Sequence, residues 1–317
     1  MAWLKGPRVT NDFIEINDKV RFMDSVEYMD TNRLGDTYYV RNNGSDDANG
    51  KSVNRAFKTL EYAVHHAAGD WDMIRLLPAT DGSAYLIEAV QATDDASIPI
   101  VISQFGLKIF GGANHPHCLG SPTIHTHVAG TNIFTINVGS VEIAGMNIQA
   151  QGADTQGILV GSTATTPRTY IHDCSLYGVA DALGNYGINA FTHDCSQTVI
   201  ERCFFNMWDV AAIRLWGGQG SMIRDNVFQV STGASGIVWS NTGVERPFGF
   251  LLENKFVTID NSGAVGITLS GTPTAGYVMI DDNHFVNFAD DAHCISAGTN
   301  ADYCGVNYNG SAAITTA

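Results

Sequence analysis

The sequence predicts an all-β chain wound as a parallel β solenoid of about eight coils. Three observations carry that expectation. A short hydrophobic pattern recurs six times along the chain. Its period of 23 to 29 residues is too short for stacked helix pairs, which need about 33 residues or more. Glycine is abundant, at 33 residues, while charged residues make up only 15%, a balance that favours strands and tight turns over surface helices rich in Glu and Lys.

The repeat is an aliphatic residue, then Met, Cys or Asn three positions later, then an apolar residue two after that. Its copies are IAGMNI from Ile143, IHDCSL from Ile171, IERCFF from Ile200, IRDNVF from Ile223, LLENKF from Leu251 and IDDNHF from Ile280. Fainter echoes stand at Ile74 and Ile109, which precede Ile143 by 69 and 34 residues. After each clear copy comes a variable turn, then a small residue opening an aliphatic strand: GILV at 157, GINAF at 187, AIRLW at 212, GIVWS at 236, GITLS at 266 and CIS at 294. Coils of this kind stack strand on strand at about 4.8 Å, so equivalent residues form columns along the axis.

One column reads Met146, Cys174, Cys203, Asn226, Asn254, Asn283. The asparagines are expected to form an inward ladder at a sharp bend, adopting left-handed backbone geometry themselves and bonding by their amides to the next coil. Cys174 and Cys203 continue the column as small buried thiols, with a disulfide across one strand spacing as the alternative. The six cysteines contain no CxxC pair, so reduced thiols are the general expectation.

These repeats resemble the right-handed parallel β-helix proteins of the pectate-lyase-like type, a family also found in bacteriophage tailspikes and virion proteins. The segment TYYVRNNGSDDANGKSVNRAFKTLEYAV, residues 37 to 64, is similar to the entry segment of such proteins: a strand, a Gly/Asp/Asn turn and a short helix. Phe57, Leu60, Val64 and Ala67 fall at near-helical spacing, an apolar face suited to cover the unpaired edge of the first coil. The chain therefore divides into an arm (1–36), a strand with capping helix (37–71), the β-helix (72–298) and a C-terminal tail (299–317). The resemblance implies the fold but no one activity, because lyases, hydrolases, epimerases and phage spikes share it.

The net charge of -15 and pI near 4.8 argue against nucleic acid and anionic lipid as partners. No apolar run approaches a membrane span, and MAWLKGPRVTNDF has no hydrophobic core of a secretory leader.

Strand alternation then assigns outward positions. On the aliphatic strands these are Leu159, Asn189, Arg214, Val238, Thr268 and Ser296, where the lyase resemblance implies calcium-binding carboxylates and a basic residue; the column has one arginine and no carboxylate. Glycosidase chemistry needs two carboxyl groups about 5 to 10 Å apart. The turn residues Asp181, Asp209, Asp260, Asp290 and Asp291 are read as solvated surface, with a loop-borne catalytic pair among them as the alternative. Phe191, Arg214 and Trp216 are candidate glycan or subunit contacts. Tyr170, Val199, Met222, Phe250 and Met279, each just before a repeat start, form an apolar outward row that self-association would bury. The residues beside it (His172, Asp173, Glu201, Arg202, Arg224, Asp225, Asp281, Asp282) are expected to be a wet, charged edge. His125 and His127 in TIHTHV share a strand face and are candidate metal ligands, but a single chain supplies no assured third ligand. No metal or other cofactor is expected.

The sequence thus points to a structural protein of a bacteriophage particle. It would be a trimeric capsid decoration or cement protein, or a short spike, located in the virion after synthesis in the host cytoplasm and held on a capsid or tail protein by residues 1–36. The alternative is a tailspike or depolymerase that binds or degrades a host surface polysaccharide.

Overall fold

One aliphatic residue per coil sets the stacking. Ile74, Ile109, Ile143, Ile171, Ile200, Ile223, Leu251 and Ile280 are successive partners in adjacent parallel strands, and all are fully buried. The computed structural model describes residues 8–10, 13–16, 19–22, 35–78, 85–86, 99–111, 121–126, 129–152, 154–161, 166–178, 184–190, 195–241, 248–258, 263–271, 277–296, 303–304, 306–310 and 312–314.

Three sheets run the length of a parallel β-helix, and each full coil visits them in turn, as in Glu142–Ala144, Asn147–Ala150 and Thr155–Val160. Sheet one holds ten strands from Thr37–Val40 to Tyr303–Cys304. Sheet two runs from Tyr85–Leu86 to Tyr308–Asn309, and Ala312–Ala313 turns back antiparallel on its last strand. Sheet three holds eight, from Ile100–Ile102 to Ile295–Ser296. The coil count differs slightly from the expected eight, and the first strands of the chain, Thr37–Val40 and Met73–Leu76, belong to sheet one before sheet three begins at Ile100. Pairing also continues beyond residue 298, where a tail was expected.

The asparagine ladder is present and one step longer than the repeat suggests. Asn254 Oδ1 accepts from both the backbone N (3.1 Å) and Nδ2 (3.0 Å) of Asn226. Asn283 Oδ1 does the same for Asn254, and Asn307 Oδ1 for Asn283. Each Nδ2 also donates to a carbonyl of the preceding coil, from Ile200, Ile223 and Leu251. The left-handed geometry falls elsewhere than expected. It belongs to the residue before each position from Cys174 to Asn283: Asp173, Arg202, Asp225, Glu253 and Asp282, with φ between 50° and 57°. That residue makes the corner, and the next side chain is thereby turned into the core. Cys174 and Cys203 continue the column as buried free thiols, donating to the carbonyls of His172 and Glu201.

Inward packing repeats the same logic. Phe205, Phe228, Phe256 and Phe285 stack at centroid separations of 4.9, 4.7 and 4.8 Å, within 8° of parallel. Ile158, Ile188, Ile213, Ile237, Ile267 and Ile295 form the matching column of sheet three. The small residue that opens each of those strands has a steric cause: a Cβ on Gly236 would lie 2.6 Å from the Gly266 carbonyl oxygen and 2.7 Å from the Phe256 ring.

The N-terminal edge is capped as the sequence suggests, by a small helix, Leu60–Tyr62 continued by Ala63–Ala67. Thr59 caps it, accepting from Tyr62 N, and is itself held by Asp46. Phe57, Leu60 and Val64 are buried. In the arm, Arg8–Thr10, Phe13–Ile16 and Lys19–Phe22 pair as an antiparallel meander.

Replacing Asn254 by Ala leaves two donors of Asn226 without their acceptor, and should lower unfolding free energy by roughly 2–5 kcal/mol. Gln219→Ala, on an exposed turn, should stay within about 0.5 kcal/mol. Urea titration of the two variants checks this.

Candidate functional site

The outer face of sheet one carries the densest chemistry in the described chain. Because Ile143, Ile171, Ile200 and Ile223 point inward, their neighbours on either side point outward. Glu142, Tyr170, His172, Glu201 and Arg224 thus come to lie on four successive strands. The left-handed corners add Asp173 and Arg202 at one margin.

These side chains form one network. His172 bridges two carboxylates, through Nδ1 to Asp173 (2.7 Å) and Nε2 to Glu142 (2.9 Å). Arg202 donates to both oxygens of Asp173, from Nε at 2.9 Å and Nη2 at 3.0 Å, and from Nη1 to Glu201. Glu201 also accepts from Arg224 Nε at 2.6 Å and from the Tyr170 hydroxyl. The Tyr170 ring stacks on His172 with centroids 4.1 Å apart. Glu201 is only 2% exposed and His172 only 8%, so the expected wet edge is, over these coils, a closed charge network. The side chains fold over one another across strands and shield His172 and Glu201 from water, while Arg202 and Arg224 stay partly exposed.

Burial alone would lower the His172 pKa, but the bonds to Asp173 and Glu142 outweigh it and raise it to about 9. Burial would raise Asp173, and the bonds from His172 and Arg202 overcome that to hold it at about 2. Glu201 is lowered because Tyr170, Arg224 and Arg202 outweigh its burial. Three carboxylates therefore face three cations, each already engaged. Glycoside cleavage needs a carboxylic acid with a raised pKa, whereas Asp173 and Glu201 are shifted the other way. The network is a clamp across four coils.

Beside it, Tyr170, Val199, Met222, Phe250 and Met279 form the expected row in strict register, and all five are half-buried.

Sheet three presents a polar face. Arg214 Nη1 donates to the Tyr186 hydroxyl at 3.0 Å, and Asn189 Nδ2 to Gln156 Oε1 at 2.9 Å. The outward residues Leu159, Asn189, Arg214, Val238, Thr268 and Ser296 include no carboxylate. The calcium that the lyase resemblance implies therefore finds no acidic ligand in that row. Trp216 lies on this sheet, half-buried and paired in register with Ser240; Phe191 falls outside the described residues. His125 sits on sheet two opposite Gln149, while His127 falls outside the described residues. Among the described residues no three His, Cys, Asp or Glu side chains are placed to hold a metal. Asp290 caps the short helix Asp291–Cys294 and bonds His293; Asp181 and Asp260 fall outside the described residues.

The Glu201 network was missed at the sequence level although a signal existed. Once the repeats are aligned, His172, Glu201 and Arg224 occupy one column with alternating charge, the pattern expected of cross-strand ion pairs.

No family model matches the chain, and no curated protein sequence does. Solved structures share its fold. A rhamnogalacturonan lyase aligns with TM-score 0.56 at 13% identity, over 81% of this chain and 69% of that one. Pectin methylesterase PemA from Erwinia chrysanthemi aligns with 0.55 at 11%, over 89% and 92%. A rice weevil pectin methyl esterase aligns with 0.53 at 12%, over 82% and 88%.

Two groups set the network's pH window. The His172 contribution is complete below about pH 6.5 and is lost as pH rises through about 9. That of Asp173 is complete above about pH 3.8 and is lost as pH falls through about 2. Thermal unfolding midpoints should thus fall less steeply on both flanks in His172→Gln than in the parent. Glu201→Gln should cost about 1–3 kcal/mol, less than a fully buried pair because the arginines stay partly in water.

Proposed function

We propose that this chain is a self-assembling structural β-helix of a bacteriophage particle, a trimeric capsid decoration protein or short spike attached by residues 1–36. The observation that carries the reading is the half-exposed apolar row of Tyr170, Val199, Met222, Phe250 and Met279, kept in register over five coils. A row of this length is a cost to a monomer and a gain to an assembly, since buried apolar area stabilises by about 25 cal/mol per Å². The adjoining charge network supports it, because its cations and carboxylates are already paired and bring little further desolvation cost to an interface. The meander Arg8–Phe22 gives the arm a preformed element with which to meet a capsid or tail protein.

The second reading is a polysaccharide-binding or polysaccharide-degrading tailspike. It is favoured by a fold shared with a rhamnogalacturonan lyase and pectin methylesterases and by the Arg214–Tyr186 pair on sheet three. Against catalysis stand the carboxylate-free row of sheet three and the lowered pKa of Asp173 and Glu201.

Native mass measurement should give an oligomer for the full chain and a monomer for Met222→Asp; a monomeric parent removes the assembly reading. Deleting residues 1–36 should abolish incorporation into particles. Release of oligosaccharides from pectic or capsular glycans by the purified protein would favour the second reading.

A further inference from the structure

The outer face of sheet two differs from that of sheet one, whose strands carry Glu142, Glu201 and Asp281. None of its strands from Thr123–Thr126 to Tyr308–Asn309 contains Asp or Glu, in a chain with 32 acidic residues. Its register is unbroken, so its outward positions fall in two straight rows.

Three features of those rows point to one kind of ligand. Aromatic rings stand in pairs at the middle and at one end: Tyr177 with Phe204 at 5.8 Å, and His284 stacked on Tyr308 at 5.0 Å. Between the pairs lie the exposed Val227 and the amide of Gln229. Two further amides, Asn147 and Asn206, keep a carbonyl oxygen with no hydrogen-bond partner; Asn147 spends its Nδ2 on Thr123. A buried acceptor left unpaired costs about 1–3 kcal/mol, and a ligand hydroxyl reached by a small amide rotation would recover part of that.

We propose that this face of sheet two is a binding platform for an uncharged, extended polysaccharide lying along the β-helix axis. The C–H faces of pyranose rings pack on aromatic side chains, and sugar hydroxyls donate to the amide oxygens. Strands repeat at about 4.8 Å, so a polymer of comparable repeat meets the same two rows coil after coil. The charges choose an uncharged glycan over an acidic one. Lys255 is the permanent cation on these strands from Thr123 to Asn309, and of the left-handed corners along the margin Asp173, Asp225, Glu253 and Asp282 are acidic against the single cation Arg202. A second protein copy fits less well, because an apolar partner would strand the amides. The platform is separate from the apolar row of sheet one and does not depend on the assembly reading.

The test is calorimetric titration of the full chain with cellohexaose, xylohexaose and maltohexaose, and with oligogalacturonate as the acidic probe. At least one neutral oligomer should bind with an affinity insensitive to salt, and oligogalacturonate should not. Phe204→Ala and Tyr177→Ala should each weaken binding about tenfold. Tyr177→Phe, which keeps the ring, and Arg214→Ala, on sheet three, should leave it unchanged. Circular dichroism confirms that the variants fold. The proposal is overturned if no neutral oligomer binds, if binding survives both alanine variants, or if Val227→Asp instead breaks up an assembly.

Discussion

Every feature described above depends on the direct stacking of equivalent residues in successive coils. A parallel strand gains its backbone hydrogen bonds only from the strands above and below it. Lateral position is therefore free to slip unless side chains fix it, and a slip of one residue would exchange the inward and outward sets. Two devices hold register here. The aliphatic columns and the phenylalanine stack fill the interior with like shapes. The asparagine ladder adds directional bonds, with Asn226, Asn254, Asn283 and Asn307 each joined to the next.

The ladder also explains why the corner between sheets one and two is uniform while the other turns drift. Its side chains satisfy both the amides of the bend and the carbonyls of the preceding coil, so any insertion there would leave buried polar groups unpaired. The turns entering and leaving sheet three carry no such obligation. Their lengths vary, and the repeat spacing varies with them.

With register fixed, each outer face becomes a periodic surface whose character is set by two residues per coil. Sheet one acquires an apolar row beside a neutralised charge network, sheet two a carboxylate-free strip of aromatics and amides, and sheet three a polar row with one arginine. The shared backbone does not choose among these faces. Solved neighbours at 11–13% identity share the solenoid while their side-chain rows are free to differ, which is why the functional reading rests on the rows.

The sequence by itself determined the solenoid, the partners within each column and the inward or outward sense of most positions. Those follow from a repeat spacing and strand alternation, both local in the chain. Tertiary structure alone decided what the outward residues do to one another. Glu201 and His172 read as solvated letters because Arg224 lies 23 residues from Glu201 and Glu142 lies 30 residues from His172 in the chain, and only stacked coils bring them within bonding distance. The same holds for the corner geometry: Asn was expected in left-handed conformation from its intrinsic tolerance, yet the three-dimensional need to aim its amide inward assigned that conformation to the preceding residue.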